Sequence, residues 1–450
     1  MIDNSDIKLQ FRRFILAYIL TALSACLGNI VSSIIAGNMI GSDAVSAINL
    51  SKPITQLYYT LHLLLTAGSG MLVAYALGQK EHGLASRIFT QAIVCVTTLS
   101  VLFTLIGGII FPKEIVHFFC KNAELQSMTY DYMHIVLLGA PFYMLVNGLN
   151  TMVAVDGEPR LVSVAILIDN AVNLLLAPLF IGVFKMGVAS SSVAVIVGHC
   201  VGIGILLLHW RNKDTLRLQI GRFIKDAKKE FAPQIKHILD AGAPLAIASI
   251  CLTLLLYAAN SIVLGTLGKS GIFVFSVCMN LLLLYNLFLS GSCSTLQSLG
   301  AIQVGKNDLE GLRYVIRKTL RFLTIAMIVI CAFVCLFPEV VTSIFGGGND
   351  PELIMEANHA LRIFAISFIP FCYIYVVMII FKLLKHDGLA LFISLALSLT
   401  VILVLFVISK IAPELLWYSY LIAYGIEILA ILLIMKIRHI SFRIEIKNKE

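Results

Sequence analysis

Residues 29–83 read NIVSSIIAGNMIGSDAVSAINLSKPITQLYYTLHLLLTAGSGMLVAYALGQKEHG, and a second version starts at Asn260: NSIVLGTLGKSGIFVFSVCMNLLLLYNLFLSGSCSTLQSLGAIQVGKNDLEG. Gly41 to Gly78 is 37 residues, and so is Gly268 to Gly305. The Phe111-Pro112 pair returns as Phe337-Pro338, Pro141-Phe142 as Pro370-Phe371, and Asp156-Gly157 as Asp387-Gly388. The offsets creep from 226 to 231 across half the chain, as expected of a duplication with small insertions. The unit that is doubled consists of long apolar runs joined by short polar turns.

Those runs decide the class of protein. Hydrophobic residues make up 59% of the 450 and charged ones only 13%, with mean hydropathy +0.94. That composition excludes an ordinary water-soluble domain. Stretches such as 14–42, 88–112, 241–268 and 270–305 hold no charge. Each exceeds the ~20 apolar residues that a helix needs to cross a bilayer. Only helices or closed barrels satisfy their backbone in lipid, and the lack of strict alternation selects helices. The fold expected is all-α and integral to the membrane, with twelve helices in two pseudo-symmetric six-helix bundles. The spans fall near 14–36, 53–77, 88–111, 132–154, 161–183, 187–209, 241–264, 272–304, 322–338, 363–381, 389–409 and 415–435. The domains expected are an amino-terminal lobe over 1–222, a linker over 223–238 and a carboxy-terminal lobe over 239–450.

The formal charge of +8 is distributed unevenly. With twelve spans, 26 of the 33 Lys and Arg fall on the side of the termini and seven on the other. This bias places both termini in the cytoplasm of a multi-pass plasma-membrane protein. It accounts for the basic pI without nucleic acid. In the linker, Phe223, Ala227, Phe231 and Ile235 recur every four residues among Arg222, Lys225, Lys228 and Lys229, the pattern of an amphipathic helix on the inner leaflet. The ten cysteines are scattered, form no CxxC pair and give no metal-ligand set. No catalytic constellation is present either, so an enzyme is not expected, and neither is a cofactor.

Intramembrane polar residues are the candidates for function. Arg160 and Lys185 bracket the fifth span, which puts Asn173 near its midpoint. Asp169, Asn173 and Ala177 share a helix face at i, i+4 and i+8. A carboxylate at that depth is buried in protein, protonated or beside water. It serves transport or a structural hydrogen bond to a neighbouring helix, and the sequence admits both. Glu427 sits mid-way along the last span. His62, His134 and His199 also lie within spans, and His199 matches Asp169 in depth in the adjacent helix. These make Asp169, Asn173, Glu427 and His199 the candidate ion- or proton-coupling set. Asn29, Ser32, Asn260 and Gln297 are the weaker candidates for lining a substrate cavity. Tyr257, Phe273 and Tyr285 could stack a cation or simply pack. GTLGKS at 265–270 has two residues where a phosphate loop needs four, and is set aside.

The GNMIGSDAVSAINLSKPI stretch, DGEPRLVS at 156–163, NLLLAPLFIGVFKMGVA at 173–189 and the doubled six-span plan together resemble the multidrug and toxic compound extrusion (MATE) family of the MOP flippase superfamily. The resemblance covers nearly the whole chain. It implies a monomeric antiporter driven by H+ or Na+ that expels hydrophobic or cationic small molecules by alternating access between two lobes. Three family positions differ. Where the family carries an Asp in the first span this chain has Ser32, and the fifth-span N-x-x-x-D-P becomes Asn173 followed by Ala177-Pro178. Val195 stands where the sixth span often has Thr. Either Asp169 is a carboxylate displaced two turns along the same face, or the protein is an uncoupled facilitator or a lipid-linked glycan flippase. A flippase cavity needs several Arg or Lys to meet pyrophosphate, and the spans have none.

Overall fold

The computed structural model describes residues 4–212, 216–305, 308–345, 351–384 and 386–437, and among them the chain is helical without strands. The helices in order are α1 (Asn4–Met39), α2 (Ser42–His62), α3 (Gly68–Gly78), α4 (His82–Phe103), α5 (Pro112–Phe119), α6 (Ala123–Leu138), α7 (Ala140–Val155), α8 (Pro159–Gly182), α9 (Ala189–Leu207) and α10 (His209–Asn212). They continue with α11 (Ile220–Gly305), α12 (Leu309–Leu336), α13 (Pro338–Ile344), α14 (Pro351–Leu383), α15 (Asp387–Ile411) and α16 (Ser419–Ile437).

Nine runs among the described residues are long and apolar enough to cross a membrane, ten when α6 and α7 count as one bent span. The Ser249–Val304 run holds two crossings, because α11 is broken at Gly268 (φ 69°). The 36-residue α1, uncharged from Phe14 onward, supplies the twelfth. The fold is the doubled six-helix plan. Gly268 has its counterpart in Gly41 (φ 128°), at the turn between the first two helices of the first copy. Both positions need a backbone that an L side chain resists, which is why glycine stands in both copies.

The second span, expected over 53–77, begins earlier. Pro53 does not open the second span: α2 begins at Ser42, and Pro53 lies inside it. The helix then loosens into a π-turn, Leu63–Ala67, before resuming as α3. Thr66 Oγ1 donates to the His62 carbonyl (2.8 Å) and also meets His62 Nδ1, so the His62 ring is occupied locally. A second π-turn, Thr104–Ile110, extends α4, and His134 Nε2 lies 2.9 Å from its Gly108 carbonyl. Pro141 sits in the first turn of α7 after a 50° bend from α6, whereas its repeat partner Pro370 lies within the uninterrupted α14. One copy of the fourth helix is broken and the other is continuous.

Contacts gather the described residues into two units: Val31–Ser261, and Met1–Ile30 with Ile262–Glu450. The changeovers therefore fall inside α1 and inside α11. The 1–222 and 239–450 division follows the repeat, while these units follow the packing. In the first unit, α11 is drawn against α2 and the π-turn. A Cβ on Gly68 would lie 2.7 Å from the Gly242 nitrogen, and one on Gly242 would strike the Leu64 carbonyl. Asn49 Nδ2 donates to Asn260 Oδ1 (2.9 Å), and Asn260 Nδ2 donates to the Asn49 carbonyl (3.0 Å). Gln56 donates to Ser249 (3.1 Å), whose hydroxyl also meets Thr60 (2.6 Å). In the second unit α1 packs on the later half of α11, with Tyr18 and Ser298 hydroxyls 2.8 Å apart and Gly291 pressed to Ile19. The linker is helical from Ile220, but the side chains of Phe223, Ala227 and Phe231 lie outside the described residues.

Candidate functional site

Asp169 lies roughly 15 Å along α8 from Pro159, at 1.5 Å per residue. Its side chain faces α9 rather than lipid. Asp169 Oδ2 accepts a hydrogen bond from His199 Nδ1 at 2.7 Å, and the two side chains are 13% and 16% exposed. The sequence placed these residues at one depth on adjacent helices, and the structure joins them. What lets the helices come so close is Gly198. A Cβ there would run into the Asp169 carboxylate and stand 2.7 Å from its backbone oxygen. One turn on, a Cβ at Gly202 would rest 3.5 Å from Asp169 Cβ and from Val146 of α7. Gly198 and Gly202 form a small-xxx-small pair, the usual means of drawing membrane helices together. That spacing is readable in the sequence as G-H-C-V-G. The ring of Tyr143, also on α7, meets His199 edge-on with centroids 4.7 Å apart.

Asn173, one turn from Asp169, donates through Nδ2 to Ser32 Oγ at 3.2 Å. Its Oδ1 is buried without a hydrogen-bond partner. Ala177 is fully buried beyond it. Ser32 and Ala177, two of the positions at which the chain departs from the family pattern, thus lie along the face that also carries Asn173 and Asp169.

The remaining candidates fall elsewhere. Asn260 is 3% exposed and both ends of its amide are used by Asn49, so it ties α11 to α2 and does not line a cavity. Gln297 is exposed on α11. Glu427 is buried in α16 and hydrogen-bonded to Thr400 of α15. It belongs to the unit that does not contain Asp169. The side chain of Asn29 lies outside the described residues. Phe273 and Tyr285 are core residues, Tyr285 donating to the Ala365 carbonyl (3.1 Å). Tyr257 stacks on Phe118 at 4.8 Å. Among the described residues no His, Cys, Asp and Glu group is arranged to hold a metal.

A second carboxylate–imidazole pair was not foreseen. Asp156, at the end of α7, meets His209 Nε2 at 2.8 Å, and these side chains are only 1% and 2% exposed. Trp210 closes over His209 edge-on and stacks on Phe89 of α4. The segment after α10 is pinned there too, since Arg217 N donates to Ser86 Oγ and Gln219 N to Thr90 Oγ1. The two partners are separated by 53 residues, one just past the end of α7 and the other just past the end of α9. Nothing in local spacing signals the contact.

Membrane helices built as a repeated six-helix unit and carrying buried polar groups have the architecture of a membrane transporter. The MatE family model matches twice, over residues 17–179 and 244–408, starts 227 residues apart, and the chain belongs to that family. The multidrug export protein MepA of Staphylococcus haemolyticus is 21% identical over 80% of this chain and 78% of its own. The probable multidrug resistance protein YoeA of Bacillus subtilis is 22% identical over 80% and 77%. Among solved structures, an inward-facing multidrug resistance MATE transporter of the MOP superfamily aligns with TM-score 0.81 at 16% identity, covering 93% of this chain and 98% of that one. The MATE multidrug transporter DinF-BH, solved as a ligand complex, aligns at 0.74 and 20% identity over 99% of both chains.

Proposed function

We propose that the protein exports hydrophobic or cationic small molecules in exchange for protons, by alternating access, with the Asp169–His199 pair as the proton carrier. The carrying observation is the 2.7 Å contact of a carboxylate and an imidazole in mid-span, partly open, beside the positions where the family's usual carboxylates are replaced. Without a proton the pair bears one negative charge, Asp169 carboxylate against neutral imidazole. With one proton it is neutral overall, whichever partner holds it. A cationic substrate and a proton therefore compete for one charge. Loading a proton removes the attraction for the cation, and binding the cation favours release of the proton. Alternating exposure of the pair turns that competition into exchange. Hydrophobic or multidrug cargo is the reading supported by the names of MepA and YoeA. The positive-side bias supports a plasma membrane with both termini cytoplasmic, and one chain suffices as the working unit.

A second reading has one observation behind it. The unpartnered Asn173 Oδ1 beside Ser32 offers oxygen donors suited to a hard cation such as Na+. Proteoliposomes separate the two. With the substrate-receiving side acidic, dye export should rise, and it should fall when the gradient is reversed. Asp169→Asn should abolish the response to pH, and a sodium gradient should be inert. Transport that follows sodium and ignores pH would transfer the coupling to Asn173 and Ser32. Equal dye movement with and without any gradient would leave a facilitator.

A further inference from the structure

A groove of about 630 Å³ lies between α1 and α12, within a single packing unit. Its lining includes four cations, Lys8 and Arg12 from α1 and Lys318 and Arg321 from α12. Among the described residues no carboxylate lines it. Glu310, one turn before Tyr314 on the same helix face, falls outside the lining. On both helices the order is the same. The charged residues lie toward the start of each helix, with Leu9 and Phe11 between them on α1 and Tyr314 before them on α12, and Ile15 on α1 and Phe322 and Ile325 on α12 follow. Both helices run from a polar connection into an apolar span, so the cations gather at one depth and the apolar floor continues deeper. Ile325 is 58% exposed and Leu9 49%, so the groove opens sideways over apolar surface. Lys318 Nζ is held 5.7 Å over the Tyr314 ring, inside the basic end.

We propose that this groove is a binding site for an anionic phospholipid of the inner leaflet. The phosphate would be met by Lys8, Arg12, Lys318 and Arg321, and an acyl chain would lie over Ile15, Phe322 and Ile325. Arginine pairs with phosphate through two N–H groups at once, while lysine adds a compact charge. Basic recesses between membrane helices on the cytoplasmic side are suited to acidic headgroups. A free phosphate would use the cations and leave the apolar floor unexplained. A lipid uses both, and that decides between the sources. The assignment to the inner leaflet rests on the orientation read from the Lys and Arg bias; the retention measured below does not depend on transport.

The test is native mass spectrometry of the full-length chain, released from micelles at rising collisional activation after incubation with phosphatidylglycerol or with phosphatidylcholine. Wild type should keep one phosphatidylglycerol to high activation and lose phosphatidylcholine early. The variant Lys8→Gln/Arg12→Gln/Lys318→Gln/Arg321→Gln should lose the retained lipid. A variant neutralising four exposed cations elsewhere (Lys80, Arg160, Lys236 and Lys436, each to Gln) should keep it. If the fourfold groove variant is not monodisperse, Lys318→Gln/Arg321→Gln serves in its place and should show the same loss in part. Equal retention in groove variant and wild type overturns the proposal. So does displacement of the lipid by millimolar inorganic phosphate, which would mark a site for a free anion.

Discussion

The same two chemical groups are paired twice in one packing unit and are treated in opposite ways. Asp169 and His199 meet half-way along their helices, with side chains 13% and 16% exposed. Asp156 and His209 meet where helices end and are 1% and 2% exposed, under Trp210 and Phe89. A pair that keeps some access can gain and lose a proton when its surroundings change. A sealed pair is a fixed tie, because removing either partner leaves a polar group with neither water nor a mate. On the proposed reading, access rather than residue identity separates the two roles.

The largest expected effect follows directly. Asp169→Asn should reduce gradient-driven efflux to the level of empty liposomes while leaving unfolding little changed, as His199 can still donate to the amide oxygen. Efflux persisting in that variant would break the contrast at once. Next comes Gly198→Ala, whose added carbon has no room against Asp169. Forcing α8 and α9 apart should cost about 1–3 kcal/mol and lower transport as well, read from unfolding in mixed micelles and from dye efflux on the same preparation. An unaltered protein would mean that the close approach is not needed. His209→Leu should do the reverse of Asp169→Asn: it should destabilise by about 1–3 kcal/mol yet leave a pH-dependent exporter. Loss of pH response at full stability would move the carrier to Asp156. The smallest change is expected at Asn49→Ala, which removes one interhelical amide contact worth ~0.6 kcal/mol in membrane proteins. A large drop in transport there would return Asn260 to the set of cavity residues.

Much of this architecture was legible because bilayers impose lengths. Runs such as 88–112 and 270–305 have few alternatives to crossing the membrane. The glycines at 41 and 268 advertised the duplication, and both prove to occupy left-handed turns. Asp169 could be found from its depth alone, and its match in depth with His199 followed from counting along adjacent spans. The Asp156–His209 contact could not be found in that way, since it depends on how chain ends fold over each other. The π-turns also escaped the reading. A π-turn adds a residue to a helix without altering its hydrophobicity, so Leu63–Ala67 looks like any apolar stretch. The second span was expected to start at 53 for a related reason: a helix-opening proline and an interior one have the same neighbours in a polar-to-apolar transition.

The changeover of packing partners inside α1 and α11 sets an order of assembly. Residues 31–212 leave the ribosome long before Asn260, yet Asn49 waits for that residue to complete its bond. The start of α1 emerges before that and packs on the segment after Ile262, with Ser298 beside Tyr18. Neither unit can close before the other half is under way. Severing the chain near residue 214 would therefore strand one helix end on each fragment, and two co-produced fragments would have to exchange those ends to rebuild the transporter.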